Sequence, residues 1–221
     1  MDQNNRHIRI TVSIVGILLG AAGILNHGIF EILQGNVRTS GFFIEAIGES
    51  HRFWIHGTEG AITLVPNYLL TGVLASLVSL AVIVWSIRGM HQANGAAVFV
   101  LLMIVLTLVG GGIGHIVLFI PTWLYARTIG KSLTWWRSVL PTNARTFLVI
   151  LWKPALALTV FSWMVVMELG IFGWFPRQSN PDVVLNITFG FVLLTLLISN
   201  IAFISAIAYD IEEDSVHEGG I

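Results

Sequence analysis

Five apolar runs, each long enough to cross a lipid bilayer as a helix, constrain this chain most strongly. They occupy about residues 8–33, 61–87, 96–126, 146–175 and 182–209. A helix rises about 1.5 Å per residue, so roughly 20 residues cover the hydrocarbon core. The runs are apolar around their whole circumference, which is typical of helices solvated by lipid. Because backbone polar groups in lipid must be satisfied internally, we predict an all-α, polytopic transmembrane bundle forming a single domain over residues 1–221.

Charged side chains are too few to cover this chain with a water-facing surface. Hydrophobic residues make up 55% of the chain and charged residues 10%, against about 25% charged in soluble domains. The net charge of −1 argues against a nucleic-acid partner, which would call for a clustered basic face. The absence of cysteine excludes disulfides and thiolate ligands. We therefore expect membrane lipids as partners, together with a membrane protein or a second copy of the chain.

The third run, 96–126, is longer than one crossing requires, and it contains the glycine cluster Gly110, Gly111, Gly112 and Gly114. Glycines allow two membrane helices to approach closely, so a straight helix with a tight crossing is one interpretation. Three adjacent glycines also loosen a helix. A broken helix, or a re-entrant hairpin with its turn near Gly111, is the other interpretation.

The distribution of basic residues bears on that choice, because lysine and arginine concentrate on the cytoplasmic side of a membrane. Five straight crossings place the basic loop 127–145 and the basic amino terminus on opposite sides. A re-entrant third run brings both to one side, with seven basic residues there against three on the other. The rule slightly favours the hairpin. We expect loop 127–145 to be cytoplasmic, in a prokaryotic-type plasma membrane.

Two segments outside the apolar runs have their own chemistry. Residues 34–60 form the longest loop, and their apolar content predicts a short helix in the membrane interface. Residues 210–221 are acidic and end in glycines, so we predict a solvated and partly disordered tail.

Ionisable side chains inside a membrane are costly, so each one calls for a functional explanation. His27 and Glu31 lie one helical turn apart at the end of the first run, and therefore on one face. His56 and Glu59 immediately precede the second run. Because the first run ends on the side where the second begins, these residues share one leaflet. Asn67 in the second run and His115 in the third extend the polar set toward the same depth.

Histidine and carboxylate ligands from several helices are how helical bundles build metal sites. Nitrogen and oxygen ligands without cysteine suit zinc, iron or manganese. The candidate metal ligands are His27, Glu31, His56, Glu59 and His115. Glu31 or Glu59 is the candidate catalytic base toward a lipid-phase substrate, and Asn67 and His115 are candidate ligand contacts. The sequence thus predicts a metal-ion or small-ligand site and leaves open whether the protein is an enzyme.

Three other interpretations remain at this stage. The polar residues can be structural, in a non-enzymatic subunit of a membrane complex. His27 and His115 can be axial ligands of a b-type haem, which needs histidines from two facing helices. Glu31, Glu59, Lys153 and Glu168 can be stations of a small transporter or proton pathway.

Overall fold

The computed structural model describes residues 5–218 and consists mainly of helices. They are α1 Arg6–Leu33, α2 Tyr68–Arg88, α3 Gly95–Leu108, α4 Ile116–Ala126, α5 Thr134–Val139, α6 Thr142–Phe172 and α7 Pro181–Glu218. Four helices, α1, α2, α6 and α7, are long and apolar enough to cross a membrane, while α3 and α4 are shorter apolar helices. Within α1, residues Gly23–Gly28 form a π-helical turn.

The amino-terminal end of α1 packs against the ends of two other helices, and we refer to this end of the bundle as the base. Asn5 Nδ2 donates to the carbonyl oxygens of Thr128 and Lys131, at 2.7 and 3.0 Å. His7 Nδ1 lies 2.8 Å from the carboxylate of Asp210. The loop that follows α4 and the late part of α7 therefore meet the start of α1.

The opposite end of the bundle is covered by residues 34–67, which we refer to as the cap. Strands β1 Phe43–Glu45 and β2 Gly60–Ile62 pair antiparallel there. The expected interfacial helix in residues 34–60 is thus wrong: the cap is a small β-hairpin with a single short 3-10 turn. Strand β2 takes up the start of the second apolar run, so α2 begins at Tyr68, not near residue 61.

Small residues hold α1 and α2 in close contact. A side chain at Gly28 or Gly72 would meet the backbone of the other helix, since a Cβ at Gly72 would lie 2.6 Å from the Gly28 carbonyl oxygen. Gly16, Gly20 and Gly23 of α1 approach serines of α2 in the same way. Small residues at helix contacts are the usual basis of tight packing in membranes. This contact fixes the end of α1 that carries His27 and Glu31.

The third apolar run consists of two helices, α3 and α4, separated by the glycine cluster. Gly110 and Gly112 have φ angles of +101° and +88°, which favour glycine because other residues lack room for Cβ there. Strand β2 and Leu64, two residues after it, supply the backbone partners of the interrupted helix. Gly110 N–H donates to the Ile62 carbonyl at 2.9 Å, and Leu64 N–H donates to the Leu108 carbonyl at 2.9 Å. The cap therefore satisfies polar groups that a break in an apolar helix exposes.

The acidic end of the chain differs from its prediction as a solvated tail. Helix α7 continues to Glu218, and Asp210 is buried at 3% exposure. Its carboxylate accepts from the backbone N–H groups of His7 and Ile8, at 2.9 and 3.0 Å, and so caps α1. Residues 219–221 of the predicted tail lie outside the described residues.

We expect Asp210→Asn to lower the free energy of unfolding by about 2 kcal/mol, because charged hydrogen bonds to the His7 ring and to the start of α1 are weakened. Glu213→Gln is the matched control: this carboxylate is partly exposed and lies 3.5 Å from His7 Nδ1. Thermal denaturation in detergent measures both variants. Equal losses in the two variants would show that the hydrogen bonds of the buried Asp210 carboxylate to the start of α1 are not the stabilising feature.

Candidate functional site

A cavity of about 500 Å³ lies between α4, α6, α7 and the cap. Its walls are mainly apolar side chains of α6 and α7, including Val166, Met167, Leu185, Phe189 and Val192. The polar part of the wall comes from the cap, from the glycine cluster and from α1. Pockets of this volume with a few converging polar groups are typical of small-molecule sites.

Glu59 is the carboxylate among the cavity-lining residues, and hydrogen bonds from α1 and from the glycine cluster hold it. His27 Nε2–H of α1 donates to Glu59 Oε2 at 3.2 Å, and Gly114 N–H donates to Glu59 Oε1 at 2.6 Å. Because an ionised carboxylate only accepts hydrogen bonds, the His27 proton resides on Nε2. The His27 side chain is fully buried, so Glu59 separates it from the cavity.

The glycine cluster leaves room for these side chains. A Cβ at Gly112 would overlap the His27 ring, and a Cβ at Gly110 would lie 2.6 Å from both carboxylate oxygens of Glu31. A Cβ at Gly114 would lie 2.6 Å from Glu59 Oε1. Glycine is therefore required in this cluster for two reasons. Gly110 and Gly112 have positive φ angles, and a side chain in the cluster would collide with His27, Glu31 or Glu59.

Three buried polar atoms of residues that line the cavity have no hydrogen-bond partner among residues 5–218. They are Asn26 Oδ1, His115 Nδ1 and Trp163 Nε1. The His115 ring lies 5.4 Å from the His27 ring and 6.2 Å from the Trp163 ring, centroid to centroid. Leaving a buried polar atom unpaired costs about 1–3 kcal/mol, so the unpaired acceptor, donor and imidazole nitrogen of these three residues call for partners.

The charge of Glu59 follows from its neighbours. Burial alone would raise the pKa of its carboxyl, but the His27 and His115 rings and the Gly114 N–H outweigh burial. Together they lower the pKa from an ordinary value of 4.5 to about 2. A carboxylate with so low a pKa is ionised at neutral pH and is a poor proton acceptor. Glu59 is therefore better suited to accepting hydrogen bonds than to general-base catalysis.

The structure brings three of the predicted site residues together and places the other three in separate settings. His27, Glu59 and His115 converge, as described above. Glu31 is fully buried behind Gly110, and neither of its carboxylate oxygens has a hydrogen-bond partner within residues 5–218. His56 lines the cavity, and its Nε2 lies 2.9 Å from the Asp182 carboxylate of α7. Asn67 is not among the cavity-lining residues; its Oδ1 accepts from Leu70 N–H and caps α2.

The predicted metal ligands are not assembled as one tight ligand set. Among the described residues, the histidine and carboxylate atoms that all lie within 4.8 Å of one another belong to His7, Asp210 and Glu213 at the base. Both oxygens of Asp210 already accept backbone hydrogen bonds from α1. Hydrogen bonding across a helix junction therefore accounts for that cluster.

Comparisons with known proteins do not extend this description. No protein-family model matches the chain, and neither a curated protein nor a solved structure matches it.

Sequence reasoning missed Asn26 and Trp163. Asn26 is an amide within the first apolar run, next to His27, which is a recognisable signal because buried amides in membranes need partners. Trp163 lies in the middle of the fourth run, away from the interfaces where tryptophan is usual. Each residue was a visible exception to the pattern around it.

The low pKa of Glu59 predicts a defined pH dependence of stability. A carboxyl whose folded pKa lies below its ordinary value stabilises the fold above pH 4.5, and this contribution is lost as the pH falls toward 2. We expect wild-type protein to melt at a higher temperature than Glu59→Gln near neutral pH, and the difference to shrink below pH 4.5. Because both proteins contain all the other carboxyls, the pH dependence that those groups cause cancels in the comparison. A difference that stays constant with pH would contradict the assignment.

Proposed function

We propose that this protein is an integral membrane protein that binds a small apolar molecule with one polar end. The apolar part lies along α6 and α7 in the cavity, and the polar end faces Glu59, His115, Asn26 and Trp163. The observation that carries the proposal is that three residues lining a largely apolar cavity, Asn26, His115 and Trp163, each have a buried polar atom without a partner. Such atoms specify a polar group at one position, while the apolar walls provide affinity without specificity.

Photolabelling tests this proposal in nanodiscs. The probe is a ten-carbon chain that bears a diazirine and, in three versions, a hydroxyl, an ammonium or a carboxylate head. We expect at least one version to label cavity residues such as Met167 and Val166, with labelling that saturates and is displaced by the unlabelled compound. Labelling spread evenly over the lipid-facing residues Phe161 and Leu193 in all three versions would overturn the proposal.

Gly170→Leu provides the matched variant. A Cβ at Gly170 would have 3.8 Å to its nearest neighbour, so a leucine can enter the cavity and fill it. Gly190→Leu is the control, because a Cβ at Gly190 meets nothing within 4 Å. We expect specific labelling to fall in Gly170→Leu and to stay unchanged in Gly190→Leu. Equal labelling of the two variants would place the probe elsewhere.

A divalent metal ion is the second candidate ligand. The observation that favours it is the proximity of two imidazole rings, His27 and His115, to the Glu59 carboxylate. Metal content of the purified protein decides between the candidates. Near-stoichiometric zinc, iron or manganese that is lost in His27→Ala together with His115→Ala would favour the metal. Binding of the probe by protein with background metal content would favour the organic ligand.

The proposed topology places α3 and α4 as a re-entrant hairpin within the membrane. The contact of Asn5 with Thr128 and Lys131 supports this arrangement, because it brings the two basic regions to the base, which we propose to be cytoplasmic. The chain has no cysteine, so single cysteines can be labelled from either side without background. We expect Gln92→Cys and Ser132→Cys to be labelled from the same side. Labelling from opposite sides would require one straight crossing.

A further inference from the structure

We propose that the polar end of the ligand is an uncharged hydroxyl, so that the ligand is an apolar alcohol. This inference rests on the proposed function and specifies its ligand class. It comes from the chemical character of the unpaired atoms in the cavity-lining residues, one of which is a donor and one an acceptor.

The donor and the acceptor select among polar groups. Trp163 Nε1–H can only donate a hydrogen bond, and Asn26 Oδ1 can only accept one. A hydroxyl does both, since it donates its hydrogen to Asn26 and accepts from Trp163. An ammonium only donates and leaves the Trp163 N–H unpaired. A carboxylate only accepts and leaves Asn26 Oδ1 unpaired. His115 Nδ1 does not discriminate, because an imidazole nitrogen takes either role according to its tautomer.

The charged side chains of the cavity lining also favour an uncharged polar end of the ligand. Within residues 5–218, the cavity lining includes the carboxylate of Glu59 but no lysine or arginine. An anionic head would therefore meet a like charge with no lysine or arginine to balance it. A cationic head would be attracted by Glu59, but it would lose its hydration in a largely apolar cavity. Both oxygens of Glu59 already accept hydrogen bonds, from His27 and from Gly114. A neutral head avoids both costs.

Competition among three matched compounds tests the inference. Decan-1-ol, decylamine and decanoate are titrated against the photoreactive hydroxyl probe in uncharged-lipid nanodiscs, at a mildly alkaline pH where the amine is protonated and the acid is ionised. We expect decan-1-ol to displace the probe at a mole fraction about fivefold or more below that of either charged compound, since each leaves one buried group unpaired. Decylamine or decanoate displacing the probe equally well would overturn the inference.

Trp163→Phe tests the donor directly. We expect this variant to bind decan-1-ol about fivefold more weakly, because the aromatic ring stays and the N–H is lost. Trp174→Phe is the matched control, since Trp174 is 65% exposed and lies outside the cavity lining. An unchanged affinity of Trp163→Phe for decan-1-ol would remove Trp163 from the account.

The outcomes distinguish the inference from the function on which it rests. If no version of the photoreactive probe labels the cavity, the proposed function fails and the hydroxyl assignment fails with it. If a charged compound competes best, the cavity remains a ligand site and only the hydroxyl assignment is overturned.

Discussion

Replacing Gly112 by alanine should abolish the folded site, at a cost of about 4 kcal/mol in the free energy of unfolding. Two effects combine at this position. The φ angle of +88° strains any residue with a Cβ, and the new methyl group would overlap the buried His27 ring. His27 cannot move aside without breaking its hydrogen bond to Glu59. We therefore expect little monodisperse protein after purification, and loss of specific probe labelling in the fraction that remains.

Gly130→Ala separates the two effects. Gly130 also has a positive φ, +69°, but a Cβ there meets nothing within 4 Å. We expect this variant to lose about 1 kcal/mol from backbone strain alone and to label normally. If the two variants are equally impaired, strain explains the loss and the contact of the glycine cluster with His27 does not.

Gly72→Ala should be the second most damaging substitution, with a loss of about 3 kcal/mol in the free energy of unfolding. The added Cβ would lie 2.6 Å from both the Gly28 carbonyl oxygen and the Ile32 nitrogen. Both atoms belong to the backbone of α1, so no side-chain rotation relieves the contact. The helices must separate, and that movement displaces the end of α1 that carries His27.

The temperature of half denaturation measures this effect, and we expect it to fall by about 10 °C. Gly190→Ala in α7 is the control, because its Cβ meets nothing within 4 Å, and alanine favours the helix over glycine. A loss in Gly72→Ala no larger than in Gly190→Ala would contradict the close contact between α1 and α2.

The helices were predictable because lipid solvation leaves a strong signal in the sequence. Apolar runs of bilayer length predicted α1, α2, α6 and α7, since no other element satisfies its own backbone in lipid. The cap was not predictable in the same way. Strand β2 has three residues, Gly60–Ile62, and it pairs with a strand about 15 residues earlier as well as with the glycine cluster. Such pairings depend on the fold of distant segments, and short strands carry little periodicity.

The candidate site was predictable in part for a similar reason. His27, Glu59 and His115 were conspicuous as ionisable groups near apolar runs, and the structure brings them together. The different positions of Glu31 and Asn67 follow from details that sequence spacing does not contain. Asn67 caps α2 because that helix begins later than its apolar run. The sequence places Asp210 in a solvated tail because nothing local indicates a partner about 200 residues away.

Fluorine NMR of protein labelled with 5-fluorotryptophan tests the central claim most directly, because it observes the cavity wall itself. The Trp163 resonance is assigned by its absence in Trp163→Phe. If the cavity binds an apolar molecule with a polar end, adding decan-1-ol to nanodiscs should shift the Trp163 resonance to saturation. The resonances of the exposed Trp135 and Trp174 should stay in place. A Trp163 resonance that does not move, or that moves in proportion to the others without saturating, would contradict the account.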